Sequence, residues 1–516
     1  MSKLMIWNIL SVLWIYCDGA RILGIVPTPS YSHQIAFRPL WRELSLRGHQ
    51  LTVLTTDPMN DKSLTNLTEI DLHFSYELWN QRLGDLINKG HDNPLKFIEL
   101  MLNTSSAVIE LQLQHKDVQA LIHNETQHFD LLMNEFLFPT MFAFSERFKC
   151  PTIAMTSLDA PNGVYQIVGN PTHPVVNPDV VLPFTGKLNF FERVISVLYN
   201  LVSRYYYNSL LPKEDLVVEK YFGKGYPSLE EIPKRISMLF VNSDPIFHQI
   251  RATVPTVIQI RGGKHLAASK PLPKDLKKYL DEAAEGFIYF SLGTNVKSKD
   301  LSENVRNVIL QAFSELPYKI LWKFELDHLP GKPENVKISK WLPQQDIFKH
   351  PNIKLFITQG GLQSMEEAIY NHVPMVGIPF FADQPLNINR MVSKGLGLSL
   401  DHKTMNKESF KEAVLEVINN PRYLGNVKHV ADLAQDQPMT GLERAVWWTE
   451  YVLRHKGAEH LKSPALDLPD YQYYLLDVIG FCILVIGIAV CLFVMVVKLI
   501  LKLIRYFASK PKIKKQ

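Results

Sequence analysis

Short apolar runs, each closed by glycine, proline or small polar residues, alternate with stretches of helical period along most of the chain. The first run, Arg21-Ile-Leu-Gly-Ile-Val-Pro27, suits a buried parallel strand. A loop with Pro27, Pro29 and Ser32 follows, then an amphipathic stretch from His33 to Leu46 that Gly48 is placed to end. Leu51–Thr55 reads as the next strand, which makes a βαβ opening. Further strands are predicted at 129–133, 152–156, 238–241, 287–291, 319–322, 354–358 and 375–379. Such alternation predicts the α/β class with doubly wound parallel sheets. The pattern also restarts. Arg261 to Lys274 holds Gly262, Gly263, Pro271 and Pro273 and reads as a linker, and Gly286–Gly293 opens a second unit. Two Rossmann-like domains facing each other across a cleft are expected, the usual place for a ligand.

Both ends depart from this alternation. Residues 4–16 are mostly apolar, follow Lys3 and are too short to span a bilayer. Cys17 and Gly19 stand at −3 and −1 of a cleavage before Ala20, so a secretory signal peptide is expected. Val478–Val497 is an unbroken apolar run of twenty residues, enough to cross a hydrocarbon core of about 30 Å. Tyr471, Tyr473 and Tyr474 precede it, Tyr506 and Phe507 follow, and a basic tail comes after. The expected organisation is signal peptide 1–19, N-terminal domain 20–260, linker 261–283, C-terminal domain 284–450, membrane-proximal segment 451–477, transmembrane helix 478–497 and cytoplasmic tail 498–516. Lys512-Ile-Lys-Lys-Gln516 is similar to the dilysine signal that returns membrane proteins to the endoplasmic reticulum; a tail drawn to anionic lipid has the same pattern. A single-pass type I protein of that membrane, with a luminal body, is the reading. Residues 190–207 are unusually aromatic and read as a packed helix or as a membrane-hugging surface.

Composition sharpens the class. With 46% apolar and 21% charged residues over 516 positions, the chain is neither disordered nor fibrous and exceeds one small domain. The net charge of +4 hints at an anionic partner, but seven cations and no acid fall in the last nineteen residues. Residues 20–497 carry −3, which leaves no footprint for nucleic acid. Asn66, Asn103 and Asn124 head glycosylation sequons. Of four cysteines only Cys150 lies in the body, so no disulfide framework supports it. The absence of GxGxxG, GxxxxGK[ST], HExxH and paired CxxC disfavours a dinucleotide or metal enzyme.

The chemistry concentrates between Trp341 and Gln384. Trp341-Leu-Pro-Gln-Gln345 precedes the strand Lys354–Thr358, which runs into Gln359-Gly-Gly-Leu-Gln-Ser364. Gly360 and Gly361 let backbone approach a ligand, and the next helix offers free N–H groups for a diphosphate. Glu367 lies one turn after Gln363, where a carboxylate can accept both ribose hydroxyls. Asp383 and Gln384 follow the strand Met375–Pro379 and suit sugar hydroxyls.

Trp341-Leu-Pro-Gln, Gly360-Gly361, Glu367, Pro374-Met-Val-Gly-Ile-Pro379 and Ala382-Asp-Gln-Pro385 together resemble the donor-binding signature of UDP-glycosyltransferases, in the style of invertebrate members. The resemblance implies the GT-B arrangement of two facing Rossmann-like domains with one C-terminal membrane helix. It implies Trp341 on uracil, Gln344 on the nucleotide, Ser291, Thr294, Gln363 and Ser364 around the diphosphate, Glu367 on the ribose, and Asp383 and Gln384 on the sugar. Arg251 matches a further donor contact. Gln359 stands where the family commonly has histidine, which keeps a hydrogen-bond donor but removes a titratable cation. The resemblance places the general base at His33 and its orienting acid at Glu135, a glutamate where aspartate is more familiar. The expected activity is inverting, metal-independent transfer of a sugar, glucose before glucuronate, from a UDP-sugar to a small lipophilic acceptor. No cofactor is implied, and a homo-oligomer is compatible with the reading. The rival readings are a silent membrane-tethered nucleotide-sugar binder and a GT-B enzyme that extends a glycan or lipid.

Overall fold

The computed structural model describes residues 19–90, 93–260 and 270–509. The signal segment to Asp18, Gly262-Gly263 and Lys512–Gln516 lie outside the described residues. The chain forms two compact units, one up to Lys462 and one from Ser463 onward.

The first unit carries two all-parallel sheets. Seven strands, β1 (Arg21–Val26), β2 (Gln50–Thr55), β3 (Leu67–Asp71), β4 (Leu131–Glu135), β5 (Thr152–Thr156), β6 (Met238–Val241) and β7 (Val257–Gln259), stand in the order β3-β2-β1-β4-β5-β6-β7. Six more, β8 (Phe287–Ser291), β9 (Lys319–Lys323), β10 (Val336–Ser339), β11 (Ile353–Thr358), β12 (Met375–Gly377) and β13 (Gly397–Ser399), stand in the order β10-β9-β8-β11-β12-β13. The order reverses between β1 and β4 in the first sheet and between β8 and β11 in the second. At such switch points the helices leave to opposite faces and a crevice opens beyond the carboxyl ends of the strands. Register fixes the two mouths: Ile25 pairs with Asn134, and Ser291 with Thr358. Both sheets are packed on both faces, as parallel strands with continuous apolar runs require.

Several expectations shift. The stretch His33–Leu46 is two helices, Tyr31–Ile35 and Arg38–Leu46, separated by Ala36-Phe37. Gly48 does follow the second, at φ +92°. The fourth strand runs 131–135 rather than 129–133, so Glu135 closes the strand. The linker expected to reach 283 already folds at Lys274–Asp281, a helix whose Leu276 and Leu280 enter the second core. The boundary expected at 450 falls inside the helix Gly441–His455, which crosses back to the first sheet. Its Ala445, Val446 and Val452 join the core beneath β1, and Arg47 reaches Glu450 at 3.3 Å. A capping box of Thr440 and Glu443 starts that helix.

The aromatic 190–207 stretch opens the 33-residue helix Phe190–Phe222, whose first half exposes Phe190, Phe191, Ile195, Leu198, Leu201 and Tyr205. In the second unit, Leu476–Ala508 is the one helix among the described residues long and apolar enough to cross a membrane. It continues past Val497 through Lys498, Lys502 and Arg505.

Trp322 on β9 shows how the second core is held. Its ring is fully buried among Phe290, Phe313 and Phe324, with Nε1–H donating to Ser298 Oγ at 3.0 Å. Trp322→Ala is expected to cost about 3–5 kcal/mol, read as a lower denaturation midpoint of the detergent-solubilised chain.

Candidate active site

The two switch points open onto one cleft of about 1200 Å³, lined by residues of both sheets. On the first-sheet side, the loop after β1 is fixed by Gln34. Its amide donates to the carbonyls of Val26 and Thr28 at 2.9 and 2.8 Å. This sets the helix Tyr31–Ile35 at the mouth and presents His33, 9% exposed, to the cleft.

His33 Nδ1 lies 2.5 Å from Glu135 Oε1. Glu135 has no solvent exposure. Its other oxygen accepts from Thr28 Oγ1, and Ser157 Oγ lies 2.8 Å from His33 Nδ1 and donates to Glu135 Oε1 at 3.3 Å. A carboxylate on Nδ1 fixes that nitrogen as the donor, which leaves the Nε2 lone pair for the cleft. The arrangement can take a proton and stabilise the resulting imidazolium.

On the second-sheet side, β11 ends in Gln359-Gly360-Gly361, and the helix Leu362–Tyr370 begins with Gly361 at its N-cap, without a side-chain cap. Gly360 sits at φ +93°, and a Cβ there would lie 2.7 Å from Ile388, so the turn is reserved for glycine. The uncapped N–H groups and the helix dipole suit an anion. Gln344 links this helix to the segment before β11: its amide donates to Ser364 Oγ at 2.9 Å and Glu367 Oε2 at 2.5 Å, while Tyr289 Oη donates to its Oε1 at 3.2 Å. Gln345 donates to Glu367 Oε1 at 2.9 Å. Ser291 and Thr294 line the cleft beside Gly293, and Trp341, 57% exposed, meets Tyr31 edge-on at 5.2 Å.

Asp383 precedes the helix Gln384–Ser393, and its Oδ2 accepts from Asn387 Nδ2 at 2.7 Å. Burial pushes its carboxyl up, against the pull of Asn387 and of the His33 and Arg390 charges. Gln384 Oε1 accepts from the Phe380 and Phe381 amides at 2.9 and 3.3 Å, so its amide nitrogen is the end left for a ligand.

The cleft thus brings together His33, Ser291, Thr294, Trp341, Gln344, Gln359, Gly361, Gln363, Ser364, Glu367, Asp383 and Gln384, with Glu135 behind His33 and Gly360 shaping the turn. It does not bring in Arg251. That guanidinium lies over the Tyr165 ring at 4.1 Å and donates to Asn162 Oδ1 at 3.1 Å, outside the cleft lining. Of the three sequon asparagines, Asn66 is held by its Nδ2, which donates to the carbonyls of Ser45 and His49 at 2.8 and 2.7 Å. Asn103 and Asn124 are exposed, and Asn124 Oδ1 accepts from the Thr126 amide and hydroxyl. Thr28, Ser157, Tyr289, Gln345 and Asp159 were not read from the sequence. Thr28, Ser157 and Asp159 carried a signal, as polar residues just past a strand's carboxyl end.

Residues 21–514 match the family described as UDP-glucoronosyl and UDP-glucosyl transferase. "UDP-glucosyltransferase 2" of Dactylopius coccus is 35% identical and aligns over 99% of each chain. "UDP-glycosyltransferase UGT5" of the same insect is 35% identical over 90% of this chain and 89% of that one, and human "UDP-glucuronosyltransferase 2B7" is 31% identical over 96% of each. Among solved structures, the "Glycotransferase of kitacinnamycin" superposes with a TM-score of 0.57 over 84% of this chain and 99% of its own, at 17% identity. "Spinosyn Forosaminyltransferase SpnP" gives 0.55 over the same shares, at 15% identity. The shared fold is GT-B.

Removing the Glu367 carboxylate strands the amides of Gln344 and Gln345 in a partly buried site. Glu367→Ala is expected to lose about 1–3 kcal/mol of stability, seen as a lower melting temperature of the ligand-free chain.

Proposed function

The chain belongs to the UDP-glucuronosyl and UDP-glucosyl transferase family, and on that premise we propose that it transfers glucose from UDP-glucose to a hydroxyl of small lipophilic acceptors. The observation that carries this reading is the His33–Glu135 pair, 2.5 Å apart, facing the same cleft as the uncapped helix end at Gly361. His33 Nε2 takes the acceptor proton as the acceptor oxygen attacks the anomeric carbon. The bond from that carbon to the diphosphate oxygen breaks, and UDP leaves with the electron pair. Attack from the face opposite UDP inverts the centre and gives a β-glycoside from an α-linked donor.

The diphosphate rests on the N–H groups after Gly361, with Ser291, Thr294, Gln363 and Ser364 around it; Glu367 takes the ribose hydroxyls and Trp341 the uracil. Asp383 and Gln384 hold the sugar. This mechanism calls on no metal. Trp79, Phe97, Met101, Leu137, Val180 and Phe381 line the cleft with apolar surface suited to a lipophilic acceptor. Glucose is preferred because Gln359 resembles the invertebrate members and an insect relative aligned over the whole chain is named a UDP-glucosyltransferase. The helix Leu476–Ala508 serves as a single-pass anchor in the endoplasmic reticulum membrane, with the body luminal and Asn124 the sequon best placed for a glycan.

Membranes carrying the chain, given labelled UDP-glucose and a panel of phenols, test the reading. His33→Ala should lower turnover about 10²–10⁴-fold while UDP still binds, and Asp383→Ala should impair transfer far more than UDP affinity. Equal, slow release of UDP by wild type and His33→Ala would point to a silent binder. Ending the chain before Val478 should move most of it to the soluble fraction after sedimentation. A truncated chain that stays bound would implicate the exposed Phe190–Tyr205 face.

A further inference from the structure

Another carboxylate of the cleft wall shares a buried cation with Asp383. Asp159 lies just past β5, two residues beyond Ser157, and is 8% exposed while lining the cleft. Its Oδ1 accepts from Tyr165 Oη at 2.8 Å. Its Oδ2 stands 3.8 Å from Arg390 Nη2, a residue of the helix that Asp383 starts. Arg390 is 4% exposed and does not line the cleft, and its Nε and Nη2 have no hydrogen-bond partner among the described residues. One buried guanidinium therefore stands behind both acids, and its charge also pulls on Asp383.

Three of the other cations lining the cleft are engaged elsewhere, and the fourth, Lys270, joins the wall where its backbone amide donates to Asp346 Oδ1 at 2.8 Å. Arg42 pairs with Asp61, Arg38 donates to the Asp57 carbonyl, and Lys323 holds the Gly293 carbonyl at 2.7 Å and Glu325 at 3.1 Å. The stretch between the β5 loop and Asp383 thus presents two carboxylates and hydrogen-bond acceptors, with its balancing cation set back from the lumen.

Glucose and glucuronate differ only at C6, where a hydroxymethyl is replaced by a carboxylate. A hydroxymethyl can donate to an acid; a uronate brings a further negative charge against the acidic wall of a partly desolvated site, where like charges are costly. We infer that Asp159, held by Tyr165 and Arg390, is a specificity-determining residue that admits a neutral hexose donor and rejects a uronate. The inference rests on the donor-sugar assignment above and extends it to a named residue.

The test measures kcat/KM for UDP-glucose and UDP-glucuronate with one phenol, on the full-length chain in membranes, alongside the Kd for UDP. Wild type should prefer UDP-glucose. Asp159→Asn keeps the Tyr165 contact and exposes the Arg390 charge, so it should narrow the preference by about tenfold or more with UDP affinity unchanged. Arg390→Met removes the cation and should widen the preference. These opposite shifts are not what a merely structural role would produce, and Arg390→Met decides the matter if Asp159→Asn does not fold. A preference unmoved in both variants overturns the inference and leaves the glucose reading standing. Equal use of the two donors by wild type overturns both.

Discussion

A carboxylate with no solvent exposure organises the first half of this molecule. Glu135 ends a central strand, and an ionised side chain there costs several kcal/mol unless donors meet it from inside the protein. Sheet order supplies them. β4 lies between β1 and β5, and the loops after those two strands deliver Thr28 with His33 on one side and Ser157 on the other. The histidine is thereby held in one tautomer before any ligand arrives. The dyad is a consequence of strand order: a different neighbour for β4 would leave the acid unsatisfied and the imidazole unoriented.

The second sheet meets this arrangement across its own switch point, and the same residues serve both sides. Ser157 touches His33 through its hydroxyl, and its carbonyl accepts from Gln363 Nε2 at 2.8 Å, on the helix that offers the anion site. Ser30 Oγ donates to Asn295 Oδ1 at 3.2 Å, and Asn389 Nδ2 to the Pro183 carbonyl at 2.8 Å. The crossing helix Gly441–His455 adds an apolar attachment far from the cleft. The lips of the cleft are joined by these polar contacts and by Leu83, Phe97 and Leu158, which line it and pack against the second sheet's cores.

What was legible in the sequence follows from burial. All nine interior strands of the two sheets were read, and the four missed, β3, β7, β10 and β13, are the four sheet edges. An edge strand needs no continuous apolar run: β3 reads Leu-Thr-Glu-Ile-Asp, and β7 and β13 have three residues each. The donor-side residues were readable because a glycine turn, a helix start and nearby acids are local in the chain. Asp159 and Arg390 were not, because their relation is made by the meeting of two domains 231 positions apart in sequence. Arg251 was placed otherwise because nothing local shows that Tyr165 and Asn162 of its own domain will claim a guanidinium.

The glutamine at 359 shows what such a site can exchange. Its side chain is wedged between glycines: a Cβ on Gly293 would lie 2.6 Å from its Nε2, and one on Gly361 3.2 Å. A flat group with one N–H donor fits this slot, and glutamine meets that demand as imidazole would, without a proton to gain or lose. Charge is then supplied next door. The Lys323 ammonium, 8% exposed, grips the carbonyl of that same Gly293 and shares Glu325, so a cation already underlies the loop. A second cation at 359 would sit close to the first in a poorly solvated wall, where like charges raise each other's cost. Shape at 359 and charge at 323 are thus divided between two residues, and the loop keeps its donor while its electrostatics do not depend on protonation at position 359.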